Sequence, residues 1–253
     1  MPTCPSRSAT LTGAGTTRVC ARRYSRLQCG LPGSQMELDA YLAYHQRRFD
    51  YICGLAQRLK PSRASLVLDV GPGPMTKQLN TYYDVVWSLG FEHTAVYSAA
   101  EGGRRHITFD LNRANDPAAW VPMPKFDLIV FSEVIEHVQV RHEDVLTFLG
   151  RSLTPDGLIL CTTPNVAAFH KRLRGVAGLT PWHRWESGHV TEFSKADLVE
   201  IGRRAGLQTR FHAFANYFGF AGSPLRRDIV KVIDSVTGLV PTLRRGQVIV
   251  YAH

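Results

Sequence analysis

The chain lacks most of what would mark a stapled, finger-like or membrane-spanning protein. Its 253 residues include only five cysteines, an odd number with no C-x-x-C pair. That argues against a disulfide framework or a Cys-ligated zinc site. Free thiols in a reducing compartment are the simpler reading, and a cytoplasmic location is the expectation that follows. No apolar run approaches the roughly 20 residues needed to cross a bilayer, so no transmembrane segment is expected. No internal repeat is visible. Charged residues make up 20% and hydrophobic residues 44%, a globular balance that excludes a disordered or collagen-like chain. The length suffices to bury a full core without staples.

Acidic residues are missing from the first 36 positions, which carry Arg7, Arg18, Arg22, Arg23 and Arg26. More than half of the net charge of +9 therefore sits there, and the other 217 residues hold 25 basic and 21 acidic side chains. The body is only mildly basic, which weakens a charge argument for nucleic acid. Residues 1–36 are rich in Ser, Thr, Gly and Arg, show no apolar periodicity, and are expected to be a disordered basic tail. Met36-Glu37-Leu38 reads like a start site, which would make the tail an artefact. The alternative is an organelle transit peptide, since Arg and Ser abound and no apolar h-region is present.

From residue 37 onward, strands and helices alternate. The spacing predicts helices over 37–59, 76–89, 141–153, 194–205 and 225–238. It predicts buried strands over 66–70, 93–97, 105–109, 127–131, 158–162, 208–214 and 247–251. Ser194 with Asp197 forms a capping-box pattern, and Gly206 a C-cap. Thr154-Pro155-Asp156-Gly157 reads as a turn. Seven strands in alternation with helices predict an α/β Rossmann-like three-layer sandwich with a mostly parallel seven-stranded sheet.

The first buried strand stops at Asp69-Val70-Gly71-Pro72-Gly73. Glycines there let the backbone approach a ligand that a Cβ would exclude, and ligands of open α/β sheets sit at strand carboxyl ends. A dinucleotide fingerprint would need a third Gly near position 76, where Thr76 stands, so NAD is disfavoured. Leu66 to Gly73 resembles motif I of class I S-adenosylmethionine-dependent methyltransferases. Phe109-Asp110-Leu111-Asn112, Phe126 to Val138, Leu153 to Asn165 and Gly188 to Ser194 resemble later segments of the same family, in order. The last is similar to bacterial small-molecule and glycan methyltransferases. The resemblance covers about residues 40–215. It implies S-adenosylmethionine as cofactor, with Asp69, Gly71 and Gly73 at the methionine end, Asp110 at the adenine, and Ser132 and Glu133 beside the methyl group. Two positions depart from the pattern. Met75 stands where motif I has a third Gly. The second strand, taken as 93–97, ends in Tyr97-Ser98 without the usual ribose-binding acid, leaving Ser98 or Glu101 for that role.

Glu133, Glu136 and His137 are spaced i, i+3, i+4, which on a helical turn would share one face. Two carboxylates and an imidazole there suit a divalent cation; a helix start carrying acids that favour the dipole is the simpler alternative. The E-x-x-E-H spelling resembles ubiquinone-biosynthesis O-methyltransferases and small-RNA 3′-terminal 2′-O-methyltransferases. Both add a downstream His, a place His189 occupies. The resemblance implies a site of Glu133, Glu136, His137 and His189 for a cation such as Mg or Zn, which would lower the pKa of an acceptor hydroxyl. Many relatives carry a similar spelling without a metal; His137 or His189 would then be the general base, with Glu133 beside the reaction.

Residues 166–192 are long for a connection and are expected to form a lid or acceptor insertion. Within it, Trp182 and Trp185 could stack on a sugar, and Arg172, Arg174 and Arg184 could meet a phosphate. The expected activity is O-methylation of a hydroxyl on a glycan or other small molecule. The alternatives are an RNA 3′-terminal 2′-O-methyltransferase and a non-catalytic member of the fold that binds cofactor or a partner.

Overall fold

Alternation of apolar side chains along the strands decides the architecture. In the computed structural model, residues 35–92, 94, 105–179, 188–218 and 224–253 are described. The tail over 1–34 lies outside them. The first helix, α1, spans Gln35–Leu59; β1 is Leu66–Val70, α2 Pro74–Tyr82 and β2 Val85–Gly90. Then come β3 (His106–Thr108), β4 (Phe126–Ser132), α3 (His142–Gly150), β5 (Leu153–Pro164), α4 (Phe169–Val176), α5 (Lys195–Arg204), β6 (Gln208–Ala215), α6 (Pro224–Gly238) and β7 (Gly246–Ala252).

The strands form one sheet in the order β3-β2-β1-β4-β5-β7-β6. β7 runs antiparallel to both β5 and β6, and the other pairs are parallel. Because successive strand side chains point to opposite faces, each strand feeds two cores. Leu68, Val70, Ile129, Phe131, Ile159 and Tyr251 pack on one face with Phe148 and Leu149 of α3 and Leu198 of α5. Val67, Leu128, Val130, Leu160, Val248 and Val250 pack on the other with Phe49, Ile52 and Ala56 of α1 and Leu79 of α2. The result is the expected three-layer sandwich. Each fully buried Leu, Ile or Phe side chain contributes about 1.5–3 kcal/mol, so the doubly covered sheet is the main source of stability.

The capping box at Ser194 forms, with Asp197 N–H donating to Ser194 Oγ at 3.2 Å and Ser194 N–H to Asp197 Oδ2 at 2.7 Å. Gly206 takes the left-handed φ of 76° that ends a helix.

Three expectations need correction. The helix over 76–89 is two elements. Tyr83 leaves α2 in an extended conformation (φ −122°, ψ 141°), and β-branched Val85 and Val86 open β2 rather than a further turn. Short apolar runs of this kind fit either period. The second strand is therefore 85–90, and residues 95–97 of the expected strand lie outside the described residues, as do His93, Ser98 and Glu101. Lastly, Thr154 to Gly157 is not a free turn but the bulged start of β5, between the pairs Phe126↔Leu153 and Leu128↔Leu158.

Candidate active site

The sheet order reverses between β1 and β4, since β2 and β3 lie on one side of β1 and β5 on the far side of β4. In open α/β sheets such a reversal opens a crevice at the strand carboxyl ends. The turn after β1 and the turn after β4 meet there. Gly71 has a φ of 78°, and a Cβ on it would stand 2.6 Å from Val134 Cγ2. Glycine is thus required for both its conformation and its closeness to the second turn. A Cβ on Gly73 would meet nothing within 4 Å, so this turn faces open space.

Asp69 is fully buried at the end of β1. Thr76 Oγ1 donates to its Oδ2 at 2.6 Å and accepts from Gly73 N–H at 3.0 Å. Its Oδ1 has no partner. Burial raises the Asp69 carboxyl from 3.8 to about 7, with the Thr76 hydrogen bond and the Arg48 charge opposing. A buried carboxylate oxygen without a donor is costly, and an ammonium ligand would satisfy it. Arg48 of α1 was not singled out from the sequence. Its Nε is buried without a partner, and its charge bears on Asp69, Glu133 and Glu136.

Met75, the departure from motif I, points into the core beside Val67 and Leu79, so it does not intrude on the turn. Asp110 caps a short turn, accepting from Asn112 N–H at 2.9 Å. Asn112 Oδ1 in turn accepts from Gln139 N–H at 2.8 Å, which ties this acidic loop to the segment after β4. Ser132 ends β4, with Oγ 3.0 Å from Thr162 Oγ1. With β2 ending at Gly90, Glu92 is the first acid beyond it, and it is exposed.

Glu133, Glu136 and His137 do not share one helical face. Glu133 adopts a left-handed φ of 53°, rare for a residue with a Cβ and commonest where function holds strain. A single 3-10 turn, Ile135–His137, follows. The Glu133 carboxylate has partners of its own: its Oε1 accepts from Tyr217 Oη at 2.8 Å and Thr162 Oγ1 at 3.0 Å. Tyr217 lies 84 positions away, a distance no local pattern could have bridged.

Glu136, His137 and His189 do converge. One ligand atom from each lies within 4.8 Å of the others. Glu133 stands outside this group. Two main-chain bonds, Val190 N–H and Thr191 N–H to Glu136 O, stitch the His189 loop onto the turn. His137 Nδ1 lies 3.1 Å from Gly188 O and His189 Nδ1 3.1 Å from Glu192 Oε1. Glu136 is 1% exposed; Oε2 accepts from Thr163 Oγ1 at 3.1 Å, and Oε1 has no partner. Burial and the neighbouring Glu133 charge push the Glu136 carboxyl well above its usual range. Burial lowers His137 to about 4, leaving it a neutral imidazole near pH 7. A buried carboxylate with an unsatisfied oxygen beside two imidazoles fits a divalent cation.

The family model described as a methyltransferase domain matches residues 44–210. The chain belongs to the class I S-adenosylmethionine-dependent methyltransferases. S-adenosylmethionine is the cofactor. The methyltransferase shares its fold with solved structures. One is a Haloferax volcanii methyltransferase in complex with the Trm112 methyltransferase activator, at a TM-score of 0.61 and 13% identity, over 90% of this chain and 96% of that one. Another is magnesium protoporphyrin IX methyltransferase from Synechocystis PCC 6803 with bound SAH, at 0.56 and 14%, over 93% and 98%. A third is a small RNA methyltransferase, at 0.52 and 15%, over 82% of this chain and 25% of that one. At such identities the likeness concerns the fold. No curated protein matches the sequence significantly.

Of the residues expected to meet the acceptor, Trp182, Arg184 and Trp185 lie outside the described residues. Arg172 and Arg174 sit on α4, with Arg172 exposed. No helix among the described residues is long and apolar enough to cross a membrane.

Proposed function

We propose that this methyltransferase methylates a hydroxyl of a glycan or other small molecule, with a divalent cation held by Glu136, His137 and His189. The observation that carries the reading is the buried Glu136 carboxylate, whose Oε1 has no partner and one of whose oxygens lies within 4.8 Å of a ligand atom on each of two imidazoles. Apolar neighbours would serve a merely structural turn better than an unsatisfied carboxylate.

The cofactor supplies a methyl group on a sulfonium that is already electrophilic, so the protein's share is alignment and exclusion of water. Asp69 Oδ1 would take the ammonium of the methionine end, with Thr76 fixing the carboxylate from its other oxygen. Arg48 would meet the carboxylate of the same end, which answers its unpartnered Nε. Gly71 and Gly73 let the main chain approach closely. Glu92, rather than Ser98 or Glu101, would face the ribose, because β2 ends at Gly90. Asp110 would face the adenine, and Ser132 would line the methyl-bearing end. A bound cation would lower the pKa of a coordinated hydroxyl. Glu133, held by Tyr217 and Thr162, would wall the reacting end; burial raises its carboxyl above the usual range, against those two hydrogen bonds and the Arg48 charge. Met75 no longer argues for a non-catalytic protein, because its side chain belongs to the core.

The test is transfer of labelled methyl from S-adenosylmethionine to a panel of glycans and hydroxylated small molecules, with and without chelator. The expected result is transfer that chelator abolishes and Mg or Zn restores. Full activity of Glu136→Ala in chelator would overturn the cation reading.

A further inference from the structure

Two buried charged side chains from two segments stand behind the His189 imidazole of the cation cluster. Glu192 is the hub. Its Oε2 lies 2.5 Å from Lys171 Nζ, and its Oε1 lies 3.1 Å from His189 Nδ1. Lys171 and Glu192 are both buried, at 7% and 8% exposure. Lys171 stands in the first turn of α4, within a K-R-L-R stretch whose other cations include the exposed Arg172. Lysine is almost never this buried unless it is paired. A buried ion pair contributes little net stability, because desolvation offsets the attraction. The arrangement therefore calls for a role other than holding the fold.

We infer that Lys171 and Glu192 are positioning residues that hold His189 in the orientation and tautomer of a cation ligand. This rests on the cation reading given above. A carboxylate can only accept, so His189 donates from Nδ1–H, the tautomer that in a neutral imidazole leaves the lone pair on Nε2. That is the pattern by which a metal-binding imidazole is oriented from its far side. Glu192 by itself could swing about its side-chain torsions; the Lys171 ammonium on the opposite oxygen pins it. The backbone supports the same geometry. Asn165 and Phe193 form a parallel bridge, and Gln247 Nε2 donates to Phe193 O at 2.7 Å, so the segment carrying Glu192 is anchored to the sheet. His137 receives the corresponding support from a main-chain carbonyl, Gly188 O. The two imidazoles are thus set from behind by different means. The His189 support reaches into α4.

The experiment is a calorimetric titration of the full chain with Mn2+, paired with the visible spectrum of its Co2+ form. Wild type, Glu192→Gln, Lys171→Met and Lys171→Arg are compared. Glu192→Gln keeps size and shape, and binding of S-adenosylhomocysteine with a cooperative melt reports an intact fold in each variant. The expected result is about a 10–100-fold loss of cation affinity in Glu192→Gln and Lys171→Met. The Co2+ bands should shift, S-adenosylhomocysteine affinity should hold, and Lys171→Arg should recover most of the loss. Wild-type cation affinity and an unchanged Co2+ spectrum in Glu192→Gln would overturn the positioning role while leaving the cation site standing. Absence of cation binding by the wild type would overturn the cation reading itself, and this role with it.

Discussion

Replacing Asp69 with Asn should make the empty protein more stable and its cofactor binding worse. The folded chain holds the Asp69 carboxyl at about 7 against 3.8 when unfolded. The folded state therefore keeps the proton to higher pH, and stability falls as pH rises from about 4 to about 7, then levels off. At about pH 8 the penalty for keeping Asp69 ionised is roughly 4 kcal/mol. The amide of Asp69→Asn would remove that penalty, still accept the Thr76 hydrogen bond, and leave a buried N–H unpaired at about 1–3 kcal/mol. The net gain is about 1–3 kcal/mol at about pH 8. The sharper quantity is its pH dependence, since the amide term cancels. The advantage of Asp69→Asn over wild type should grow by ~2 kcal/mol between about pH 5.5 and about pH 8. Urea denaturation at both pH values measures it. An advantage that is flat with pH, or that shrinks, would refute the argument. So would a variant that still binds S-adenosylhomocysteine as tightly as wild type.

Other substitutions probe separate parts of the account. Met75→Ala should lower stability by about 2–5 kcal/mol, as truncation of a core Met does, while leaving S-adenosylhomocysteine affinity near wild type; a lost affinity in a folded variant would put Met75 at the cofactor instead. Gly71→Ala should cost stability and cofactor binding together, because its Cβ would press on Val134 at 2.6 Å in a left-handed conformation; a neutral melt would contradict the close approach of the two turns. Glu92→Gln should weaken S-adenosylhomocysteine binding about tenfold, the scale of one charged hydrogen bond, and calorimetry showing wild-type affinity would remove Glu92 from the ribose. Tyr217→Phe should destabilise by about 1–2 kcal/mol through the hydrogen bond that Glu133 loses, read by thermal melting; an unchanged melt would show that Glu133 does not need it.

What could be read from the sequence was what local chemistry dictates. The apolar run into Gly71-Pro72-Gly73 specified a strand, a turn and an exposed carboxyl end, and Ser194 with Asp197 specified a helix start. The stretch from Thr76 to Leu89 misled because Tyr82, Tyr83, Val85, Val86, Trp87 and Leu89, so closely spaced, fit a helix or a buried strand equally. With β2 at 85–90, the first acid after it is Glu92, while Ser98 and Glu101 lie outside the described residues. At the site, spacing alone put Glu133 on one face with Glu136 and His137. A left-handed residue at Glu133 broke that face, and its partner Tyr217 comes from beyond β6. Lys171 lies beside Arg172 and Arg174 in the chain, and only its contact with Glu192 sets it apart from them.

The central claim is that the crevice between the β1 and β4 turns holds the cofactor of methyl transfer. Calorimetric titration of the full chain with S-adenosylhomocysteine tests it most directly. The account predicts saturable binding at one site, lost in Asp69→Asn. No detectable heat or thermal shift with a folded wild-type chain would contradict it.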